Sequence, residues 1–243
     1  MTGPSFRDFL DRVYIINLPE FEDRRRATWQ ELIDLGFQPD DPKVEIPYAP
    51  RPADPNSFPS RGIHGNFLSH LSILKDAREH RYKRIMVLED DAIFSRRMAR
   101  TQTQITAKLE SGPWDLCFLG HSANRELTGM PEGLVRSQAE FMWMHCFLVN
   151  HTVYDRVIAY FEETLERPPG DPLGGRLYID GAYNLFRRFN PDVVSYIHNP
   201  MISMQRGGPS SLGNRRWYEV LPGAEPVLRK ARALRDEAWK RVV

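Results

Sequence analysis

The segment IMVLEDDAIF, residues 85–94, constrains the fold of this chain more than any other part of the sequence. Four apolar residues lead directly into Glu89, Asp90 and Asp91, and apolar residues resume at once. Like charges this close together repel one another, and burial strengthens the repulsion. Three acids at the end of a buried strand therefore need something that compensates their charge. A solvated acidic turn, or an Asp91 that only caps the next segment, is the alternative interpretation of the triplet alone.

Short apolar runs that alternate with helical patterns predict an α/β fold. The apolar runs are residues 12–18, 84–88, 115–120, 141–149 and 193–197. The helical patterns are residues 23–35, 66–80, 153–165 and 180–186. Continuously apolar strands between helices favour a mostly parallel sheet with helices on both faces. In such a sheet ligands bind beyond the carboxyl ends of the strands, which is where the three acids lie.

Two loops and a terminal helix complete the organisation that the sequence predicts. Residues 39–62 contain seven prolines and read as a long irregular excursion, which in compact domains is usually functional or disordered. This loop and the glycine-containing segment 205–214 are candidates to close over a ligand. The chain ends in a charged helix. We therefore expect a single domain over 1–243, with a core at about 12–212 and a C-terminal helix at 222–243.

Composition excludes several classes of protein. Lys and Arg number 33 against 32 for Asp and Glu, so no global field attracts nucleic acid, and a nuclease is disfavoured. Cys117 and Cys146 lie in apolar runs, as small core residues do in a reducing compartment. The N-terminus lacks the apolar region of a secretory signal, so we expect a cytoplasmic protein. The basic tail would suit peripheral contact with an anionic membrane, and a solvated helix packed on the domain is the alternative.

Several segments taken together resemble the family-25 glycosyltransferases, which include bacterial lipooligosaccharide galactosyltransferases and procollagen galactosyltransferases. The matching segments are VYIINL at 13–18, EDRRRATWQEL at 22–32, GNFLSHLSILKDA at 65–77, IMVLEDDAIF at 85–94, and the later IDGAYN and NPMISMQ. The resemblance implies a single-domain GT-A (Rossmann-like) fold and a UDP-sugar donor. It also implies inverting transfer of galactose or glucose to a hydroxyl of a glycan, a lipid-linked glycan or another acceptor. A catalytically degenerate relative that only binds a glycan or nucleotide is the alternative.

The resemblance further implies that the acidic motif holds Mn²⁺ or Mg²⁺. Such ions prefer oxygen ligands, usually bind together with phosphate groups, and neutralise the charge that develops on a leaving nucleoside diphosphate. We expect Asp91 to contact the metal, with Glu89 as a further ligand, while Glu89 or Asp90 faces the ribose or a metal-bound water. His198 is expected to complete the coordination, and a hydrogen-bonded loop histidine is the alternative.

The remaining site predictions also follow from the resemblance. Donor-binding residues are expected at Asn17, Arg24, Arg25, Ser69, His70 and Gln205, in addition to the acids. An arginine at 24–26 would form paired hydrogen bonds to phosphate, although the sequence leaves open which one does so. His70 has a structural histidine as its alternative. Asp180 is the predicted general base for the acceptor hydroxyl, with a helix cap as its alternative. Trp143 and Trp217 are candidates to stack on sugar rings, with core packing as the alternative.

Overall fold

The structure, a computed structural model, describes residues 5–123, 127–207 and 224–242. Its helices are α1 (Phe6–Phe9), α2 (Glu22–Asp34), α3 (Arg61–Glu79), α4 (Arg96–Glu110), α5 (Tyr154–Glu166), α6 (Ile179–Phe189) and α7 (Ala224–Val242). Its strands are β1 (Arg12–Ile16), β2 (Val44–Glu45), β3 (Arg84–Glu89), β4 (Ala92–Phe94), β5 (Leu116–Gly120), β6 (Gly133–Arg136), β7 (Cys146–Asn150), β8 (Ser195–Asn199) and β9 (Ser203–Gln205). No helix in these ranges combines the length and apolar character needed to cross a bilayer.

Seven of these strands form one mixed sheet, in the order β2-β1-β3-β7-β5-β8-β6. Strand β1 is parallel to β2 and β3, and β5 is parallel to β8. Strand β7 is antiparallel to both β3 and β5, and β6 is antiparallel to β8. Five strands therefore share one direction, which confirms the predicted α/β fold with a mostly parallel sheet. Strands β4 and β9 form a separate antiparallel pair beside the carboxyl end of β3.

Strand β3 shows why the apolar runs are continuous. Successive side chains of a strand point to opposite faces of the sheet. Ile85 and Val87 pack in the core layer that contains α3, α5 and α6. Met86 and Leu88 pack in the layer that contains α1, α2 and α4. Because helices cover both faces of the sheet, the four positions between Arg84 and Glu89 must all be apolar.

Several local elements differ from the sequence-based expectation, and the short elements α1, β2, β4, β6 and β9 were not predicted. Helix α4 was not predicted, although its buried Met98, Ile105 and Leu109 recur at helical spacing within an otherwise polar stretch. Helix α3 begins at Arg61, five residues earlier than expected. The strand expected at 141–149 begins only at Cys146. The segment expected at 205–214 extends beyond the described residues after Gly207, and Trp217 also lies outside them.

The proline-rich loop is packed closely against α3. Gly65 of α3 lies under this loop, and a Cβ added there would come within 2.5 Å of the Pro50 backbone oxygen. Backbone atoms cannot yield easily to such a contact. The loop is thus fixed over the first two turns of α3, and a glycine at position 65 is required for this approach.

Replacing Gly65 with alanine should therefore destabilise the protein. Alanine favours a helix over glycine by roughly 1 kcal/mol, but the contact with Pro50 should outweigh this gain and cost about 1–3 kcal/mol. Gly181→Ala in α6 is the matched control, because its Cβ would meet only Leu177 side-chain atoms at 3.7 Å. Urea unfolding should show a loss for the first variant and a small gain for the second. Equal behaviour of the two variants would contradict the packing described here.

Candidate functional site

The three acids lie where β3 ends and the chain turns into β4. Glu89 is the last residue of β3, and its backbone N–H donates to His145 O at 2.9 Å. Asp90 and Asp91 form the turn, since β4 begins at Ala92. The Arg206 N–H, just after β9, donates to Asp91 O at 2.6 Å. Backbone contacts from both sides therefore fix the direction of the three side chains.

Asp90 has its charge compensated by the protein. Asn17 Nδ2 donates to Asp90 Oδ2 at 2.8 Å, and Arg24 Nη1 donates to Oδ1 at 3.2 Å. The Thr28 hydroxyl donates to the Asp90 backbone oxygen at 2.7 Å. Asp90 thus joins β3 to the end of β1 and to α2. The middle acid of the triplet contributes to structure and holds Arg24 in place.

Glu89 and Asp91 are compensated much less. Asn66 Nδ2 and Gln205 Nε2 donate to the two oxygens of Glu89, at 3.4 and 3.0 Å. Asp91 Oδ1 is buried without a hydrogen-bond partner among the described residues. No lysine or arginine in that part of the chain forms an ion pair with either acid. Two half-buried carboxylates, one on each side of Asp90, are therefore left without a direct counter-charge among the described residues.

This environment raises the pKa of both carboxyl groups. Burial is the main cause for Glu89, followed by the negative charge of Asp91. Burial is also the main cause for Asp91, followed by the charge of Asp90, and the positive charges of Arg24 and Arg206 offset only part of it. Each raised pKa means that the ionised form is destabilised in the folded protein. The pair is stabilised either by protons or by a cation.

The two acids open into a pocket of about 420 Å³, which we call the carboxylate pocket. One face of α3 lines it through Gly62, Gly65, Asn66 and Ser69, and Arg24 of α2 lines another side. Residues 49–53 of the proline-rich loop form a wall. The N-terminal turn of α3, whose Gly62 lines the pocket, carries partial positive charge from the helix dipole. The pocket thus combines an acidic part with positive groups that suit an anion.

The donor set fits a hard divalent cation that is shared with a phosphate-bearing ligand. Among the described residues, no group of three or more His, Cys, Asp or Glu side chains is placed to hold a metal ion. Mg²⁺, however, commonly binds proteins through only one or two carboxylates and takes its other oxygens from water and phosphates. Glu89 and Asp91 supply such a pair. The orphaned Asp91 Oδ1 and the buried Asn66 Oδ1, which lacks a donor, are oxygen atoms with lone pairs to spare.

His198 is not brought to this site. It lies in β8, which is separated from β3 by β7 and β5, roughly 14 Å away across three strand spacings. Its Nδ1–H donates to Pro200 O at 2.7 Å, and its ring lines a different pocket. The structure therefore places His198 as a buried, hydrogen-bonded histidine beyond the reach of Glu89 and Asp91.

The Ser69–His70 pair is split between the pocket and the core. Ser69 lines the carboxylate pocket and donates its hydroxyl to Gly65 O at 2.9 Å. His70 is buried and stacks on Phe147, with ring centroids 5.7 Å apart. Burial lowers the pKa of His70 to about 3, so the ring is neutral. His70 is not among the residues that line the pocket.

The other predicted donor residues also separate into two groups. Arg24, Glu89, Asp90 and Gln205 line the carboxylate pocket. Asn17 does not line it and instead supports Asp90 from behind. Arg25 does not line it either. Of the arginines at 24–26, Arg24 is therefore the one that the structure places at the pocket.

Asp180 lies outside the carboxylate pocket, in the first turn of α6, and is only 8% exposed. Its Oδ2 accepts the Trp143 N–H at 3.2 Å, and its Oδ1 accepts the Gly181 N–H at 2.8 Å. Trp143 is 62% exposed and has a φ of 61°, which is unusual for a residue with a large side chain. Trp143 O accepts from His145 N at 3.0 Å, and His145 O accepts from Glu89 N. A short backbone connection thus links Asp180 and the exposed indole to the end of β3.

Glu31 is a site-organising residue that sequence analysis missed. It is 5% exposed in α2, and its Oε2 accepts the Phe94 N–H at 3.0 Å. Its Oε1 accepts from Arg206 Nη2 at 3.3 Å and from Lys240 Nζ at 2.6 Å. Glu31 therefore ties α2, β4, the segment after β9 and α7 together. An isolated glutamate in a charged helix gives no sequence signal for such a role.

Asn66 was also assigned no role from the sequence, although it lies three residues before Ser69 on the same helix. That spacing places both residues on one face of α3, which was the available signal.

Comparisons with known proteins identify no close relative. No protein-family model matches the chain, and no curated protein matches it. The chain is similar to a glycosyltransferase involved in the glycosylation of the major capsid of PBCV-1, with a TM-score of 0.46 and 11% identity over 94% of this chain and 98% of that one. It is also similar to a Bacillus anthracis structure that carries the name glucose-1-phosphate thymidylyltransferase, solved in complex with a sucrose, with a TM-score of 0.41 and 11% identity over 95% of this chain and 76% of that one. Likenesses this distant assign neither a family nor an activity, and membership of glycosyltransferase family 25 stays a prediction.

The raised pKa values of Glu89 and Asp91 predict an unusual dependence of stability on pH. Between the ordinary carboxyl range and the raised values, the folded state binds more protons than the unfolded state. The free energy of unfolding of the metal-free protein should therefore fall as pH rises through that window. Glu89→Gln should remove part of the fall and make the protein more stable than the wild type at pH 8, by at least about 1 kcal/mol.

Asp90→Asn is the matched control for that experiment. It leaves Arg24 without its carboxylate partner, so it should destabilise the protein at the same pH. Urea unfolding in the presence of a chelator measures both variants. A Glu89→Gln protein that is less stable than the wild type at pH 8 would contradict the assignment of an uncompensated pair.

Proposed function

We propose that this protein is a metal-dependent glycosyltransferase that moves a hexose from a UDP-sugar to a hydroxyl of a glycan or related acceptor. The observation that carries the proposal is the pair of half-buried carboxylates, Glu89 and Asp91, which form no ion pair with a described lysine or arginine and open into the carboxylate pocket. A divalent cation bridging to a diphosphate compensates such a pair. UDP-galactose and UDP-glucose are the donors to test first.

Each side of the carboxylate pocket has a part in donor binding. Glu89 and Asp91 would hold Mn²⁺ or Mg²⁺, and Asn66 and Gln205 orient Glu89 through its two oxygens. The bound ion would supply charge neutralisation for a departing nucleoside diphosphate. Arg24, held by Asp90, and the N-terminal turn of α3 face the same space and suit the diphosphate oxygens. The wall at residues 49–53 limits access of water to the donor.

The acceptor is proposed to approach from the side of Asp180 and Trp143. Exposed tryptophan is well suited to stack on the apolar face of a sugar ring. Asp180 is the proposed general base, which would take the proton of the attacking hydroxyl during an inverting transfer. A second role for Asp180 is favoured by its contacts, because both of its oxygens already accept backbone N–H groups. In that role it positions Trp143 and does not accept a proton.

The two backbone contacts of Asp180 favour a second candidate function, a protein that binds a nucleotide sugar or glycan without turnover. A fold that keeps its carboxylate pair while both oxygens of Asp180 are engaged by backbone N–H groups would bind a donor but transfer slowly. UDP release from UDP-sugar in the presence of glycan acceptors separates the two candidates, since the binding protein would show affinity and no release.

Asp91→Asn should weaken metal-dependent binding of UDP. The variant keeps the size of the side chain but removes one of the two anionic ligands, so the affinity for UDP with Mn²⁺ should fall at least about tenfold. Asp155→Asn is the control, because Asp155 is exposed and lies in α5, away from the pocket. Calorimetry of UDP with and without Mn²⁺ measures the effect. Unchanged Mn²⁺-dependent affinity in Asp91→Asn would rule out the proposed metal ligand.

Two substitutions at Asp180 distinguish its roles. Asparagine can still accept the Trp143 N–H but cannot take a proton, so a general base predicts a loss in kcat of about 10²–10⁴-fold for Asp180→Asn. Asp180→Ala loses both functions. If Asp180 only positions Trp143, then Asp180→Asn should keep most of its kcat while Asp180→Ala raises the KM for the acceptor. Transfer rates measured over a range of acceptor concentrations separate these outcomes.

A further inference from the structure

A second pocket, of about 410 Å³, lies on the opposite part of the sheet, against α4. We call it the arginine pocket. It is lined by Arg97, Arg100 and Thr101 of α4, by Glu132 next to β6, by His198 of β8 and by Arg241 of α7, among other residues. It shares no lining residue with the carboxylate pocket. Nothing in the proposed donor chemistry uses it.

The charges of this pocket are unbalanced. Among the described lining residues three arginines face one acid, so their side chains carry a net charge of about +2 at neutral pH. Arg97 pairs with Glu132 at 3.2 Å, but the Glu132 side chain is 74% exposed, and such a pair is weak and easily exchanged. No described residue pairs with Arg100, and Arg241 has only a distant contact with Glu237 at 3.8 Å. An anion with two negative charges would gain more from these arginines than Glu132 does.

His198 provides the second, independent observation. It is 1% exposed, and because its Nδ1–H donates to Pro200 O, its Nε2 carries the lone pair. That Nε2 is buried without a partner among the residues that the structure describes. A buried acceptor without a donor is costly, and a ligand hydroxyl would satisfy it. The ligand that suits the pocket therefore has both a compact anionic group and a hydroxyl.

We propose that the arginine pocket binds a small phosphomonoester, with its phosphate at Arg97 and Arg100 and a hydroxyl donating to His198 Nε2. The volume is within the range of small-molecule sites and accommodates one phosphorylated sugar. Guanidinium groups match phosphate oxygens in paired geometry, which favours phosphate over a single carboxylate. The site is separate from the proposed transferase chemistry and does not depend on it.

The test is calorimetric titration of the full chain with inorganic phosphate and with glucose 6-phosphate, in a chelator and at low salt. The chelator prevents metal-assisted binding of phosphate in the carboxylate pocket, and the Arg100 variant below shows whether the remaining binding is at the arginine pocket. We expect saturable binding of both probes, tighter for glucose 6-phosphate because it adds the hydroxyl. Arg100→Gln should weaken binding about tenfold, which is the loss of a charge-assisted hydrogen bond.

Arg96→Gln is the matched control, since Arg96 is exposed on the same helix, has the same charge and does not line the pocket. It should change the affinity less than about twofold. The imidazole ¹⁵N signals of His198 should shift on phosphate binding while those of His70, buried elsewhere, should not. Absence of saturable binding to the wild type, an equal loss in Arg96→Gln, or an unmoved His198 signal would each overturn the proposal. Because Asp91→Asn should leave phosphate binding intact, failure here is distinguishable from failure of the transferase proposal.

A vesicle-binding experiment identifies the source of the phosphate group. Vesicles of phosphatidylcholine with phosphatidic acid present the same phosphomonoester on a lipid. Cosedimentation that requires Arg100 and is reversed by glucose 6-phosphate would assign the pocket to a lipid headgroup, and the absence of cosedimentation would assign it to a soluble phosphate ester. Both outcomes support the phosphomonoester chemistry.

Discussion

The partial burial of two carboxylates, Glu89 and Asp91, at the end of β3 is the constraint on which the site depends. Ionised groups that leave water without a partner cost several kcal/mol each. The protein compensates Asp90 with Arg24 and Asn17 but leaves Glu89 and Asp91 to a pair of amides and one buried, unpartnered oxygen. Such an arrangement is unfavourable for the folded chain alone. It becomes favourable when a cation or protons join it, and so it indicates a ligand.

The surrounding elements hold this unfavourable pair in place. Glu31 anchors α2, β4, the segment after β9 and α7 on one side of the turn. Gln205, brought to Glu89 by the pairing of β9 with β4, comes from far along the chain. The proline-rich loop closes the other side by packing on Gly65 of α3. Residues that are distant in sequence therefore surround the turn of three acids and hold it in place against the repulsion between its negative charges.

The sequence predicted the parts of the fold that depend on local patterns. The strand before Glu89 and the acids after it follow from apolar runs and charge, and the structure has both. The position of His198 could not be predicted in this way, because the hydrophobic periodicity of a strand does not determine its neighbours in the sheet. Antiparallel β7 lies between β3 and β5, and this places β8 three strand positions from the acids.

The roles of Ser69 and His70 depend on which face α3 turns toward the pocket, and the sequence does not determine that orientation. Its pocket face is Gly62, Gly65, Asn66 and Ser69, whereas His70 shares the core face with Phe67 and Leu74. Small polar residues on that face were a weaker signal than the histidine.

The most direct test of the central claim is calorimetry of Mn²⁺ binding to the metal-free protein near pH 7, in buffers with different enthalpies of ionisation. If Glu89 and Asp91 are a half-buried pair with raised pKa values, cation binding must displace protons from them, and the buffers will report proton release. The release should shrink in Glu89→Gln. Binding of Mn²⁺ without proton release, or no binding of Mn²⁺ or Mg²⁺ even when UDP is present, would contradict the account.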